Sequence, residues 1–342
     1  MTTTRRSFGI AIATATMLLS GTALAQQALT FQSADAAGNP NYILQKELFA
    51  DAVGEKTNGE LTIELLPVGS VVEYNETQEA VGAGILQGHV TDASYFAGKE
   101  PAFSLIANPV GAYGDPQEMF AFFDEGGGRE LMQELLTPYN LHFIGPSTPG
   151  LEAFVSNKQL NGVDDLAGLK MRAPEGLVQQ VFAAAGAAPV NLPSSEVFTS
   201  LDKGVIDAAD FSVFSTNHAQ GMHDVASYPV YPGFHSMPLI EISMNLDTWN
   251  ALSDEHKAAV EEAAAEFRDE QVKRLREADE AAVAEVQAGG DVTVTDWPEE
   301  ERAKFRSIAA EEWKTVASQS ENAQKVYDAL TAYLSDAGLL AE

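Results

Sequence analysis

Short apolar runs alternate with stretches of helical period along most of the chain. Residues 29–34 (LTFQSA) read as a strand. Residues 40–57 read as a helix with Leu44, Leu48, Phe49 and Ala52 on one stripe and Gly59 just past its end. A strand over 61–67, a helix over 76–87 and a strand over 89–97 follow, then helices around 117–123 and 129–139 and a strand over 141–145. A second series begins with the strands EAFVSN and LKMRAP, the helix LVQQVFAAAG, the strand APVNL, the helix SEVFTSLDKG and the strand IDAADFS. Residues 238–245 are another strand, with polar Ser243 inside an otherwise buried pattern.

From Leu252 the character changes. Ser253 caps a helix of more than thirty residues that ends at Gly289 and Gly290, against an average of about a dozen. Its apolar positions are mostly alanine and no heptad persists, so it reads as a strut touching two lobes rather than a coiled coil. VTVTDW and two further helices close the chain. The pattern predicts an α/β chain of two lobes with a helical C-terminal region. Residues 26–148 with 237–275 form lobe I, and 149–236 with 276–342 form lobe II.

The N-terminus falls outside that pattern. A charged stretch (TRRSF, 4–8), an apolar run over 10–19 and the small-residue site ALAQQ predict an export signal cut after Ala25. Arg5, Arg6 and Phe8 resemble a twin-arginine signal, with a Sec signal that carries two arginines as the alternative. No other stretch approaches the roughly 18–20 apolar residues of a membrane span, so an exported, soluble protein is expected.

The 342 residues carry a formal net charge of −30, which becomes −32 once the two arginines of the signal are removed. Such a balance argues against nucleic acid and anionic membranes, which need basic patches, and favours a monomer or at most a weak dimer. With no cysteine there is no disulfide, thiol nucleophile or cysteine zinc site. There is also no G-x-S-x-G elbow, H-E-x-x-H pair or Walker lysine. The glycines of DEGGGRE (124–130) read as a turn between helices, and His218 and His223, five apart, diverge on a helix. No catalytic set assembles, so an enzyme is not expected.

Between Gln26 and Val260 the chain has only two arginines, Arg129 and Arg172. In GLKMRAPEG (168–176), Leu169, Met171 and Ala173 share one face of a strand, while Lys170, Arg172 and Pro174 share the other. Arg172 could pair with Glu175 or Asp165, cap a helix, or hold a ligand carboxylate by two parallel hydrogen bonds. Its place at a strand end before a loop favours the last, because open α/β sheets bind ligands there.

Residues 165–211 closely resemble the solute-binding proteins of TRAP transporters, the DctP-type family. The shared elements are the D-L-x-G-x-K-x-R strand, the AAGAAPV turn, the SEVFTSL helix and the G-V-I-D-A strand. ASYFAGKEPAFSL (93–105) and YPGFHSMPLIE (231–241) are most similar to the branch that binds 2-oxo and 2-hydroxy acids. The resemblance implies a two-lobed periplasmic binding protein fold that closes on its ligand, with small and large membrane subunits that move the ligand on a sodium gradient. It implies that Arg172 pairs with the ligand carboxylate, that Tyr95 donates its hydroxyl, and that Asp210, Phe211 and Glu241 belong to the site. Asp210 and Glu241 would repel an anion unless a hard cation intervenes. A sodium or calcium ion held by Asp210, the Phe211 carbonyl, Glu241 and the ligand would resolve that conflict. Tyr74, Phe154, Phe214 and His235 are further candidates to line the cleft.

The chain departs from that branch where a ligand-facing glutamine is expected. It reads STPGLEAFVSN there, with Gly150 nearest the glutamine and Glu152 and Asn157 as the polar residues available. A second arginine, typical of dicarboxylate and sugar-acid branches, is missing from this strand. A small 2-oxo or 2-hydroxy monocarboxylate is the expected ligand. A sulfonate or sugar acid without metal, a signalling receptor, and an exported enzyme on the same scaffold are the alternatives.

Overall fold

The computed structural model describes residue 2 and residues 26–340; apart from residue 2, the expected export signal lies outside the described residues. Nine strands form two sheets. The first takes β1 (Gln27–Ser33), β2 (Leu61–Leu66), β3 (Gly88–Asp92), β4 (Leu141–Ser147) and β9 (Ile240–Asn245) in the order β2-β1-β3-β9-β4. The second takes β5 (Ala153–Ser156), β6 (Lys170–Arg172), β7 (Ala188–Val190) and β8 (Ala208–Ser212) in the order β5-β8-β6-β7. Each sheet has a parallel heart, β1 with β2 and β3 in one and β6 with β7 and β8 in the other. The strands that pair antiparallel, β9 and β5, follow the chain's passages from one sheet to the other.

Those passages place the cleft. The chain leaves the first sheet after β4, builds the second from β5 to β8, and returns through residues 213–239 to insert β9 between β3 and β4. The carboxyl ends of β1, β3, β6 and β8 thus come to one region, the position at which open α/β sheets hold ligands.

The helix Asp254–Gly289 is capped by the Ser253 hydroxyl, which accepts from the His256 N–H at 3.1 Å, and ends on left-handed Gly290. It packs on β4 of the first sheet and on the helix Phe214–Ala219 beside the second, as expected of a strut. The expected helix over 40–57 is continuous but contains a π-helical stretch, Lys46–Asp51. The expected strand over 89–97 ends at Asp92, where the side chain accepts from the Ser94 N–H and starts a 3-10 turn instead. The last two helices divide between the sheets. Glu299–Ala317 packs on Leu177–Ala184 of the second lobe, whereas Glu321–Asp336, grouped with that lobe on sequence grounds, packs on Ala102–Ala107 and Gly128–Leu136 beside the first. An aromatic cluster locks the passage near residue 234: Phe234 stacks on Trp297 at 3.9 Å and Phe154 on Phe182 at 5.3 Å.

Candidate functional site in the cleft

The cleft has a volume of about 340 Å³ and is walled by both lobes, at the small end of the roughly 300–1,000 Å³ usual for ligand sites. Arg172, the last residue of β6, enters it from the second lobe with only 5% of its surface exposed. Its Nε donates to the Leu192 carbonyl at 3.2 Å and its Nη1 to the Asp210 carbonyl at 2.7 Å. Among the described residues nothing accepts from Nη2. The guanidinium is therefore held on one side and free on the other, the arrangement needed to receive a carboxylate.

Behind Arg172 lies Asp210 on β8, whose Oδ1 is 3.6 Å from Nη1. Its Oδ2 accepts from the Ser236 hydroxyl at 2.7 Å and lies 3.4 Å from His235 Nε2. Burial pushes the Asp210 carboxyl up, but the His235 ring, the Arg172 guanidinium and the Ser236 hydroxyl outweigh it and hold the group below the ordinary carboxylate range. Glu152 goes the other way. Burial, reinforced by the neighbouring Asp210 charge, pushes it well up, in the direction opposite to Asp210.

The first lobe contributes acids as well. Half-buried Asp35, just past β1, accepts from Asn39 Nδ2 and Gln45 Nε2, both at 2.9 Å, and burial raises it to about 6. Asp92 at the end of β3 is raised by burial to about 7, despite the Ser94 hydrogen bonds. Tyr95 packs edge-on to Tyr74 with ring centroids 4.8 Å apart, and burial raises its hydroxyl, which stays protonated and able to donate. Asn41 Nδ2 reaches Ser212 Oγ on β8 at 3.5 Å, spanning the two walls.

Of the residues singled out from sequence, Arg172, Tyr95, Phe211, Tyr74 and Glu152 line the cleft. Asp210 sits directly behind Arg172. Phe154 and Phe214 are instead packed in aromatic clusters, Phe214 against Tyr231 at 5.2 Å, and His235 lies edge-on to Phe154 at 5.3 Å. Glu241 is not among the lining residues. It is fully buried in β9 with Oε1 2.5 Å from His89 Nε2, while His89 Nδ1 contacts Thr77 Oγ1 at 3.1 Å. Of the expected cation set, Phe211 thus lines the cleft, Asp210 stands behind Arg172, and Glu241 is turned to His89.

Near Asp210 the carboxylates of Glu152 and Asp210 and the His235 ring do approach within 4.8 Å of one another. That trio suits a hard cation poorly. Sodium and calcium prefer an all-oxygen cage, and the Arg172 guanidinium already stands 3.6 Å from one of these carboxyls.

Sequence reasoning missed Asp35, Asn41 and Asp92. The rule that singled out Arg172 would have found Asp35 and Asp92, since both end or directly follow parallel strands. Asn41 left no signal beyond its place in the first turn of a helix.

Comparison with known proteins agrees with the two-lobed fold. Residues 31–320 match the family described as bacterial extracellular solute-binding protein, family 7 (DctP). The monocarboxylate 2-oxoacid-binding periplasmic protein of Nostoc sp. is 29% identical over 340 residues, covering 94% of this chain and 91% of that protein. The apo open structure of a TRAP periplasmic solute-binding protein from Rhodobacter sphaeroides is 61% identical, with a TM-score of 0.77 over 92% of this chain and 100% of that one. A TRAP periplasmic solute-binding protein from Pseudoalteromonas atlantica, solved with bound sodium and pyruvate, shares the fold at 23% identity and a TM-score of 0.81, covering 91% of this chain and 95% of that one. With a match spanning most of its length and a two-lobed frame to go with it, the chain belongs to the DctP family of TRAP solute-binding proteins.

Proposed function

We propose that this chain captures a small monocarboxylate of the 2-oxo or 2-hydroxy acid class in the cleft and delivers it, in the periplasm, to TRAP membrane subunits for sodium-driven uptake. The observation that carries the reading is Arg172: one guanidinium, almost fully buried, anchored by two backbone carbonyls and free on its cleft side. A fixed guanidinium edge takes a carboxylate by paired hydrogen bonds, and low exposure strengthens them. The Tyr95 hydroxyl is the natural partner for the 2-oxo or 2-hydroxy oxygen. The acid-binding Nostoc relative supports the class.

The cleft also calls for positive charge, because Arg172 stands against several carboxyls. A sodium or calcium ion bridging the ligand carboxylate can supply it, and the Pseudoalteromonas protein, solved with sodium and pyruvate, supports that version. The ligand itself can supply it instead. No nucleophile and base assemble in the cleft among the described residues, and the family is one of binding proteins, so binding without turnover is the reading.

A thermal-shift screen of residues 26–342, with and without chelator, tests it. The panel holds 2-oxo acids, 2-hydroxy acids, dicarboxylates, sugar acids and sulfonates. A ligand at about 100 times its dissociation constant stabilises by about 2.7 kcal/mol, a shift of a few degrees at this size. Hits confined to small monocarboxylates support the class. A response only to sulfonates or sugar acids overturns it while leaving Arg172 as the anion site.

A further inference from the structure

The charges lining the cleft are unbalanced. Asp35, Glu73, Asp92 and Glu152 face it, and Arg172 is the one basic residue among those that line it. Arg172 is moreover backed by the ionised Asp210, at 3.6 Å. Even with Glu152 neutral, a plain anion entering this space meets more negative charge than positive, and the repulsion is least screened beside the buried Asp92 and Asp210.

The acids and the arginine are also segregated. Arg172 and Asp210 belong to the second lobe. Asp35, Glu73 and Asp92 belong to the first, where the edge-on pair Tyr74 and Tyr95 also lines the cleft. Asp35 is built as a fixed acceptor rather than a loose surface acid, since each carboxylate oxygen is oriented by one amide, Asn39 Nδ2 or Gln45 Nε2. A separate sign of a missing donor comes from Asn41, which lines the same wall. It is 8% exposed, and its buried Oδ1 has no hydrogen-bond partner, while its Nδ2 contacts Ser212 on the far wall. A buried, unpaired carbonyl oxygen beside two carboxylates is an acceptor awaiting an N–H. Aromatic faces stabilise an ammonium in the same place.

We infer that the substrate is a zwitterion, a small carboxylic acid that also carries a cationic nitrogen. Its carboxylate sits on Arg172 in the second lobe, and its nitrogen is received by Asp35, Asp92, Asn41 and the Tyr74–Tyr95 faces in the first. The inference rests on the part of the proposed function that seats a small carboxylate on Arg172, and puts a cationic nitrogen where that reading has a 2-oxo or 2-hydroxy oxygen: the positive charge that the acidic wall requires arrives with the ligand instead of with a metal ion. A ligand of this kind neutralises both walls at once, so it favours the conformation in which the lobes approach. At roughly 30 Å³ per water-sized group, the cavity of about 340 Å³ admits a molecule of about ten heavy atoms.

The test uses pairs of acids with the same carboxylate, in which a methyl group or quaternary carbon replaces the cationic nitrogen. Glycine betaine is compared with 3,3-dimethylbutanoate, alanine with 2-methylpropanoate, and 4-aminobutanoate with pentanoate, with lactate and pyruvate alongside. Calorimetric titrations of the mature chain are run in chelator and again with added calcium or sodium. The inference predicts that at least one zwitterion binds tenfold or more tightly than its carbon isostere in chelator, and that Asp35→Asn with Asp92→Asn removes that preference without removing the residual carboxylate binding. Three results overturn it: the carbon isosteres bind as tightly as their zwitterionic partners, acids bind only when calcium or sodium is added, or no zwitterion binds. Arg172-dependent binding of lactate or pyruvate with no preference for nitrogen would keep the proposed function and remove this refinement alone. The isostere comparison on the wild-type protein stands even if the double variant folds poorly.

Discussion

Arg172 Nη1 donates to the backbone carbonyl of Asp210 at 2.7 Å and lies 3.6 Å from a carboxylate oxygen of the same residue. The carbonyl aims the guanidinium and the carboxylate balances its charge in the empty cleft. These two roles can be separated. Asp210→Asn keeps the carbonyl but removes the charge, leaving a nearly buried cation without its counter-ion. Breaking such a pair costs stability, up to about 3–5 kcal/mol for a fully buried one. A ligand carboxylate then replaces the lost partner, so the variant should show a lower melting temperature without ligand and a wider ligand-induced shift than wild type. A variant with the wild-type melting temperature and no gain from ligand would show that Asp210 does not balance Arg172.

Two cleft acids of the first lobe, Asp35 and Asp92, make the protein sensitive to pH. Burial raises Asp92 to about 7, with the Asp210 charge adding to the rise and Arg172 and the Ser94 bonds opposing it; burial raises Asp35 to about 6 against the Gln45 hydrogen bond. In the unfolded chain both return to their ordinary value of 3.8. Between about pH 4 and pH 7 the folded state therefore holds protons that the unfolded state has released, and these groups make stability fall as pH rises through that window. Asp92→Asn abolishes one of these titrations and keeps an oxygen to accept from the Ser94 N–H. Its melting temperature should exceed that of wild type at pH 8, with the two converging near pH 4. An equal difference at both pH values would sink the assignment.

The same acids link binding to protons. A cationic group seated on Asp35 and Asp92 favours their ionised forms, so its binding should strengthen as pH rises from about 5 to 8 and should release protons. Calorimetry at pH 6.5 in buffers of different ionisation enthalpy measures that release directly. Zero release, or proton uptake, would place the cationic group elsewhere.

Gly233 controls the cleft from outside it. A Cβ there would fall 2.0 Å from the Glu152 carbonyl oxygen, and the Gly233 carbonyl is itself held by Arg302 Nη1 at 2.5 Å. The clash is between backbones on both sides, so no side-chain adjustment relieves it. Gly233→Ala should destabilise by about 1–3 kcal/mol and weaken ligand binding by displacing Glu152. Wild-type stability and affinity in this variant would show that the segment yields freely.

How much of this was legible in the sequence follows from the range of the forces involved. The alternation of strands and helices, the Ser253-capped strut and the role of a strand-end arginine are local patterns or follow a topological rule, and Arg172 does line the cleft. The packing of Glu321–Asp336 beside the first lobe is set by contacts with residues some two hundred positions away, which no local pattern records. The surroundings of Glu241 were hidden for a related reason. Its strand position was foreseeable, but its partner His89 lies on β3, and only the β3–β9 pairing puts the two side by side. For Phe154 and His235 the sequence left cleft lining and plain packing both open, because an aromatic cluster assembled from residues 154, 182, 234, 297 and 305 is invisible one segment at a time. The acidity of the cleft was legible in part. Asp35 and Asp92 are both strand-end residues, but their convergence on one wall needed the order β2-β1-β3.

The central claim is that Arg172 captures the carboxylate, and the most direct measurement is calorimetric titration of the best small acid into wild type and Arg172→Lys. Lysine keeps the charge but loses the planar fork. The account predicts one-to-one binding with the acid recovered unchanged from wild type, a loss of roughly hundredfold in the variant, equivalent to about 2.7 kcal/mol, and little change in the melting temperature without ligand. Wild-type affinity in Arg172→Lys, or chemical conversion of the bound acid, would contradict it.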